Sequence, residues 1–267
     1  MSAPDLIDTH THLDFEQFEG DVDGALERAE AAGVGRLINV GTTLERSRRS
    51  VALAERYDNV FAAVGVHPHD AADVNDEVVD ELKRLAAGKK VVAVGEIGFD
   101  FHYDQGPDET AQEDAFFAQS EVAVEAGLPV IVHSRDAEEL TLRHLEAHAA
   151  AAVADNPVRQ EFGVVHCFTG SLGFAEAALR LGYLISFTAP ITYPKNEALR
   201  AVVRKVPLEK IMVETDCPFL PPVDRRGKRN EPAFVVATAQ ALADLKQIPL
   251  VEAAQATTAN AERLFGL

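Results

Sequence analysis

The chain has 267 residues, 47% of them hydrophobic, with 43 acidic against 25 basic groups and a formal net charge of -18. That length can bury one full core, two cysteines cannot build a disulfide framework, and no apolar run approaches the roughly 18 residues of a membrane span. So acidic a surface also repels nucleic acid and anionic membranes at range. The cations divide into 17 Arg and 8 Lys, the acidic excess runs from Asp21 to Glu262 without forming a tail, and residues 1–8 lack a leader pattern. We therefore expect a cytoplasmic, monomeric protein with no membrane partner and a halophilic, salt-screened shell.

In chain order, eight short runs rich in Val, Ile, Leu and Phe recur: LIDTH, RLINVGTT, VFAAVGVHP, VVAVGEIGFD, PVIVHSRD, GVVHCFTG, YLISFTAP and IMVETDCP. Between most of them lie Ala-rich segments of helical period, such as VDGALERAEAAG and EDAFFAQSEVAVEAG, several closed by a glycine. Strand and helix alternation over about 250 residues predicts a single α/β domain, a (β/α)8 TIM barrel spanning 1–267. An open doubly wound sheet is the second possibility, but no GxGxxG turn follows the first run. No linker or low-complexity tract divides the chain.

Seven of the eight runs begin apolar and finish on His, Asp, Glu, Thr or Arg, and in a barrel the carboxyl ends of the strands form one ring around one site. The first run places His10 and His12 two apart, a spacing that puts both imidazoles on one face of a strand. Glu96, His133, His166 and Asp216 end runs four, five, six and eight. Burying one such group without a partner costs several kcal/mol, so a set of them argues for a shared cation. Four imidazoles and two carboxylates exceed one tetrahedral zinc and suit two divalent ions, with Glu96 as the bridge. Imidazole favours Zn or Mn over Mg, and the expected cofactor is two divalent ions among Mg, Mn and Zn.

These residues sit in motifs that resemble those of the TatD family of metal-dependent deoxyribonucleases within the amidohydrolase-like barrels: DTHTHLD, GVHPHD, GEIGFDF, PVIVHSRDA, HCFTGS, ETDCPFL, RGKRNEP and NAERLFGL, in that order. The resemblance implies one to three divalent ions on His10, His12, Glu96, His133, His166 and Asp216, and places His67 near a substrate phosphate, with His69 less defined. It implies a nucleic acid substrate, DNA before RNA, and exonuclease action, with Glu96 and Asp216 catalytic. The alternative on the same barrel is ester or amide hydrolysis, such as D-aminoacyl-tRNA deacylation. Two stretches depart from the family pattern, FTAPITYPKN and GFDFHYDQGPDET, the second at the cleft after the fourth run.

Arg135 follows His133 by two and could reach a phosphate; the prolines at 218, 221 and 222 stiffen a loop that would carry Arg226 and Arg229 to the substrate rim. Cys167 and Cys217 each follow a ligand directly, so alternation turns both under the helices. His144 and His148, four apart, read as a solvated helix pair.

The acidic shell sets a test. Self-repulsion grows as salt falls, because the Debye length rises from about 3 Å at 1 M to about 30 Å at 0.01 M. Tm measured against KCl concentration should therefore drop steeply at low salt; an unchanged Tm would show the shell to be ordinary surface.

Overall fold

The computed structural model describes residues 5–103 and 105–267. Residues 1–4, which carry part of the segment read as lacking a leader, and residue 104 lie outside it. Eight parallel strands are paired in chain order: β1 (Leu6–Thr11), β2 (Val34–Val40), β3 (Val60–Val64), β4 (Val91–Asp100), β5 (Val130–Arg135), β6 (Gly163–Val165), β7 (Tyr183–Phe187) and β8 (Ile211–Val213). The ring closes beyond β8, where Thr11 bridges Cys217, His12 N donates to Cys217 O at 2.8 Å and Asp216 N donates to His10 O at 3.0 Å. Nine α-helices are described outside the strands: α1 (Val22–Ala31), α2 (Leu44–Arg56), α3 (Asp76–Ala86), α4 (Glu109–Ala126), α5 (Glu138–Asp155), α6 (Leu172–Arg180), α7 (Glu197–Lys205), α8 (Val235–Lys246) and α9 (Leu250–Phe265). This is the (β/α)8 barrel that the alternation predicts. Among the described residues no single helix is long and apolar enough to cross a membrane.

Local chemistry starts several helices as the sequence suggests. Thr43, Asn75, Asp108 and Ser171 each accept a hydrogen bond from the backbone N–H three residues on, at the first turns of α2, α3, α4 and α6. Two apolar cores result. The larger lies between sheet and helices; the smaller fills the barrel with side chains drawn from every strand, among them Ile7, Ile38, Ala63, Ile131, Leu184 and Met212. Ala261, Leu264 and Phe265 of α9 pack on the inner core and close its amino-terminal end. The opposite end therefore remains for the polar residues.

Strand irregularities aim those residues. Pairing of β1 with β2 shifts between Asp8 and Thr11. Ile7 and Thr9 accordingly face the barrel interior, Thr9 touching Ser186 and Val213 O, while His10 and His12 turn into the mouth. In β4 a step of three residues, from Val94 to Ile97, is matched against a step of two in β5, from Val130 to Val132, and this bulge carries Glu96. Gly98 lies beside it with φ 146°, and a Cβ there would sit 2.0 Å from His133 O.

Gly98→Ala should therefore cost about 3 kcal/mol in urea denaturation, the upper end for overpacking against rigid backbone. Gly106→Ala, whose Cβ would meet nothing nearer than Tyr103 O at 3.7 Å, should change stability by less than about 0.5 kcal/mol.

Candidate metal centre

The structure gathers all six expected ligands at the carboxyl end of the barrel. One half contains His10 and His12, whose Nε2 atoms are 3.2 Å apart, with Asp216 Oδ1 at 3.4 Å from His12 Nε2 and 3.9 Å from His10 Nε2. The other contains His133 and His166, with His133 Nδ1 and His166 Nε2 at 2.8 and 2.7 Å from Glu96 Oε1. Glu96 Oε2 faces the first half, 3.5 Å from His10 Nε2. One carboxylate thus presents an oxygen to each pair of imidazoles, the arrangement of a bridging ligand between two cations.

Groups behind these side chains set which nitrogen is offered. His12 Nδ1 lies 2.9 Å from Val40 O, an acceptor only, so this nitrogen carries the proton and Nε2 turns a lone pair to the site. His166 Nδ1 faces Glu214 Oε1 at 3.4 Å, and Glu214 Oε1 also accepts from Cys167 N at 2.6 Å. Asp8 accepts from Thr215 N at 2.9 Å and Thr215 Oγ1 at 2.6 Å, which anchors the turn before Asp216. Burial pushes the Asp8 carboxyl up to about 8. Asp216 itself has φ 57°, so the chain leaves the strand direction at this ligand.

The donor set fits divalent metal. Burial works against ionisation of Glu96, yet the surrounding imidazoles, His166 first, hold its carboxyl well below the usual range. Burial keeps His10 neutral, while the carboxylates pull protons onto His12, His133 and His166 in spite of burial. Positive charge is wanted at this point of the barrel, and a cation placed between the nitrogens and oxygens supplies it without those protons. Two sets of convergent donor atoms meet that description, His10, His12 and Glu96, and Glu96, His133 and His166.

Two further sets were not read from the sequence, one joining Glu214 to His10 and His166 and one around Asp100. Asp100 Oδ2 lies 2.9 Å from His133 Nε2 and 3.1 Å from His69 Nε2, and Asp100, His133 and His67 converge as possible ligands. Asp100 closes the fourth run four residues after Glu96, and its place as an ionisable residue at the end of an apolar run was the available signal. Glu214 was also missed, because it directly precedes Thr215 in a motif whose evident ligand is Asp216.

His67 lies over the centre with Nε2 3.6 Å from Glu96 Oε1, and Arg135 lines the same cleft, its guanidinium 5.4 Å from the Tyr103 ring centroid. The cleft holds about 470 Å³. Three expectations are corrected. Arg229 donates to Gln17 O, Asp21 and Glu231 and covers Phe18, so its guanidinium is occupied in the frame, whereas Arg226 rests 5.2 Å over Tyr193. Cys167 lines the cleft instead of lying under a helix, since β6 stops at Val165 and a φ of 44° ends the alternation; Cys217 is buried as expected. His148 is buried against Tyr183 Oη at 2.6 Å, and His144 bonds Glu113 and packs on Phe99, so the pair is part of the core wall rather than solvated.

Comparison with known proteins agrees with this centre. The family model described as TatD related DNase matches residues 7–266. The chain is 40% identical over 260 residues to the uncharacterized metal-dependent hydrolase YabD of Bacillus subtilis, covering 97% of this chain and 98% of that one. It is 36% identical to the 3'-5' ssDNA/RNA exonuclease TatD of Citrobacter rodentium, with 98% of each covered. The crystal structure of YjjV, a TatD homolog from Escherichia coli K12, superposes with a TM-score of 0.91 at 38% identity, covering 99% of both chains. With its barrel, its histidine and carboxylate centre and these relatives taken together, the chain belongs to the TatD family of metal-dependent hydrolases.

Proposed function

We propose that this protein hydrolyses phosphodiester bonds of nucleic acid, DNA in preference to RNA, by removing nucleotides from a strand end. The observation that carries the reading is Glu96, one carboxylate with each oxygen turned to a separate imidazole pair at the floor of an open cleft. The family description and the Citrobacter relative's name support DNA and end-directed cleavage. Divalent ions, when bound by these groups, lower the pKa of water toward 7 and offset the phosphate charge.

The chain's own residues supply the rest. Asp216 Oδ1, against His12 Nε2, is placed to take the proton of the attacking water. His67 is held neutral, burial pushing it down to about 3, and its Nδ1 accepts the His69 backbone N–H at 3.1 Å. A neutral ring so engaged carries its proton on Nε2, which faces the Glu96 side of the cleft, and can donate to a non-bridging phosphate oxygen. Arg135 adds a fixed positive charge on the β5 side, beyond His133.

Protein stripped with EDTA and reloaded with Mg, Mn or Zn at high KCl should cleave end-labelled single-stranded DNA progressively from one end; cleavage of a D-aminoacyl-tRNA ester alone would overturn the nuclease reading. Glu96→Ala should lower kcat/KM by about 10³-fold, the several kcal/mol that such a bridge supports, and drop bound metal from two ions toward one while far-UV dichroism is retained. Asp216→Asn should reduce kcat by about 10²- to 10⁴-fold, the range for a general base, with a smaller change in KM.

A further inference from the structure

Most large apolar side chains of this chain are buried, yet two aromatic rings at the cleft are not. Phe219 is 44% exposed and Tyr103 is 58% exposed, and both line the cavity that holds the metal centre. Phe219 follows β8 in the tight turn where its N–H donates to Asp216 O at 2.9 Å. Its ring meets Phe15 edge-on at 5.6 Å and lies 6.2 Å from His12. Tyr103 follows β4, its ring 5.6 Å from His69 and 5.0 Å from His102, with the Arg135 guanidinium over it.

Their positions in the barrel give the pair a geometry. In a closed ring of eight strands, the β8–β1 seam and the β4–β5 seam are diametrically opposite. Phe219 belongs to the first and Tyr103 to the second, and Glu96 lies between them with one oxygen toward each side. A strand whose phosphate sits over Glu96 and that runs from one seam toward the other would set its two neighbouring nucleotides against the two rings. An exposed ring in a polar mouth offers a flat apolar face, and the faces of unpaired bases are its match.

We infer that Phe219 and Tyr103 are base-stacking platforms on the two sides of the scissile phosphate, which makes the site selective for unpaired nucleotides. The inference rests on the nuclease reading above and adds to it the residues that read strand state. In a duplex both faces of each base are occupied by its stacked neighbours, so neither ring can engage without fraying the end. In a single strand, or at a frayed end, both can. Stacking is indifferent to base identity, so the platforms select strand state and not sequence.

The test uses the metal-loaded protein and short single strands in which the terminal or the penultimate nucleotide is abasic. Each abasic substitution should raise KM about tenfold, the scale of one lost base–aromatic stack, with a smaller change in kcat. Phe219→Ala should raise KM to a similar extent on the intact strand and cancel the penalty of one abasic position; Tyr103→Ala should cancel the other. Phe219→Tyr and Tyr103→Phe should restore the intact behaviour. Equal KM for intact and abasic strands in the unaltered protein overturns the inference while leaving the nuclease reading in place, and it needs no variant to fold. Penalties that persist unchanged in both alanine variants overturn it as well. If no strand of any kind is cleaved, the nuclease reading itself falls, and this inference with it.

Discussion

The structure depends on one costly burial, that of the Glu96 carboxylate. An ionised carboxyl taken out of water costs several kcal/mol unless its oxygens are met by opposite charge. Here each oxygen faces a different pair of imidazoles, and the bulge in β4 puts the carboxyl where four other strands can reach it. The donors that offset the burial are also donors of the kind that hold a divalent ion. Removing the centre from this barrel would leave a charge with no partner, so fold and metal site share one solution.

Around Glu96 the carboxylates accumulate, and the field they make has to be managed. Asp216, Asp100 and Glu214 each lie within reach of a different imidazole of the centre, His12, His133 and His166 respectively. Asp8 sits one step further out, and its burial among these anions raises its carboxyl toward neutrality. Three of the imidazoles have a second contact that fixes their orientation: Val40 O behind His12, Asp100 behind His133, Glu214 behind His166; His10 Nδ1 is buried without such a partner among the described residues. Such contacts set tautomer and aim, and they reach from β1 through β8. A change at Glu214 is thereby felt at His166 without touching a ligand atom.

How much of this was legible in the sequence follows from geometry. The six principal ligands were visible because each follows an apolar run, and a strand end in a parallel barrel has only one place to go. Asp100 escaped because it stands beyond a bulge and two glycines, Gly95 and Gly98, where alternation no longer says which way a side chain turns. Cys167 was misassigned for a related reason: β6 is three residues long, and the left-handed residue after His166 brings the thiol round to the cleft. Arg229 illustrates a different limit. Its sequence position sits at the mouth, but its partners Asp21 and Gln17 lie more than 200 residues away, and no local pattern announces them. His148 is similar, its partner Tyr183 coming from another strand of the wall.

The acidity of the chain then takes on a definite meaning at the mouth. Arg46 is paired with Asp14 and Glu16 and covers Phe15, and Arg229 is tied to Asp21 and Glu231, so two of the guanidinium groups nearest the entrance stiffen it rather than greet a phosphate. A protein that bound its substrate through many lysine and arginine contacts would lose affinity steeply with salt, by a power set by the number of phosphates neutralised. On the proposed function this cleft would rely instead on a few short-range elements: the metal centre, the Nε2–H of His67, Arg135 and two aromatic faces. Metal coordination and stacking survive a Debye length of a few ångströms, while long-range attraction does not. A net charge of -18 and an anionic substrate are compatible in one molecule because the forces that would oppose them are long-ranged and those that join them act at contact.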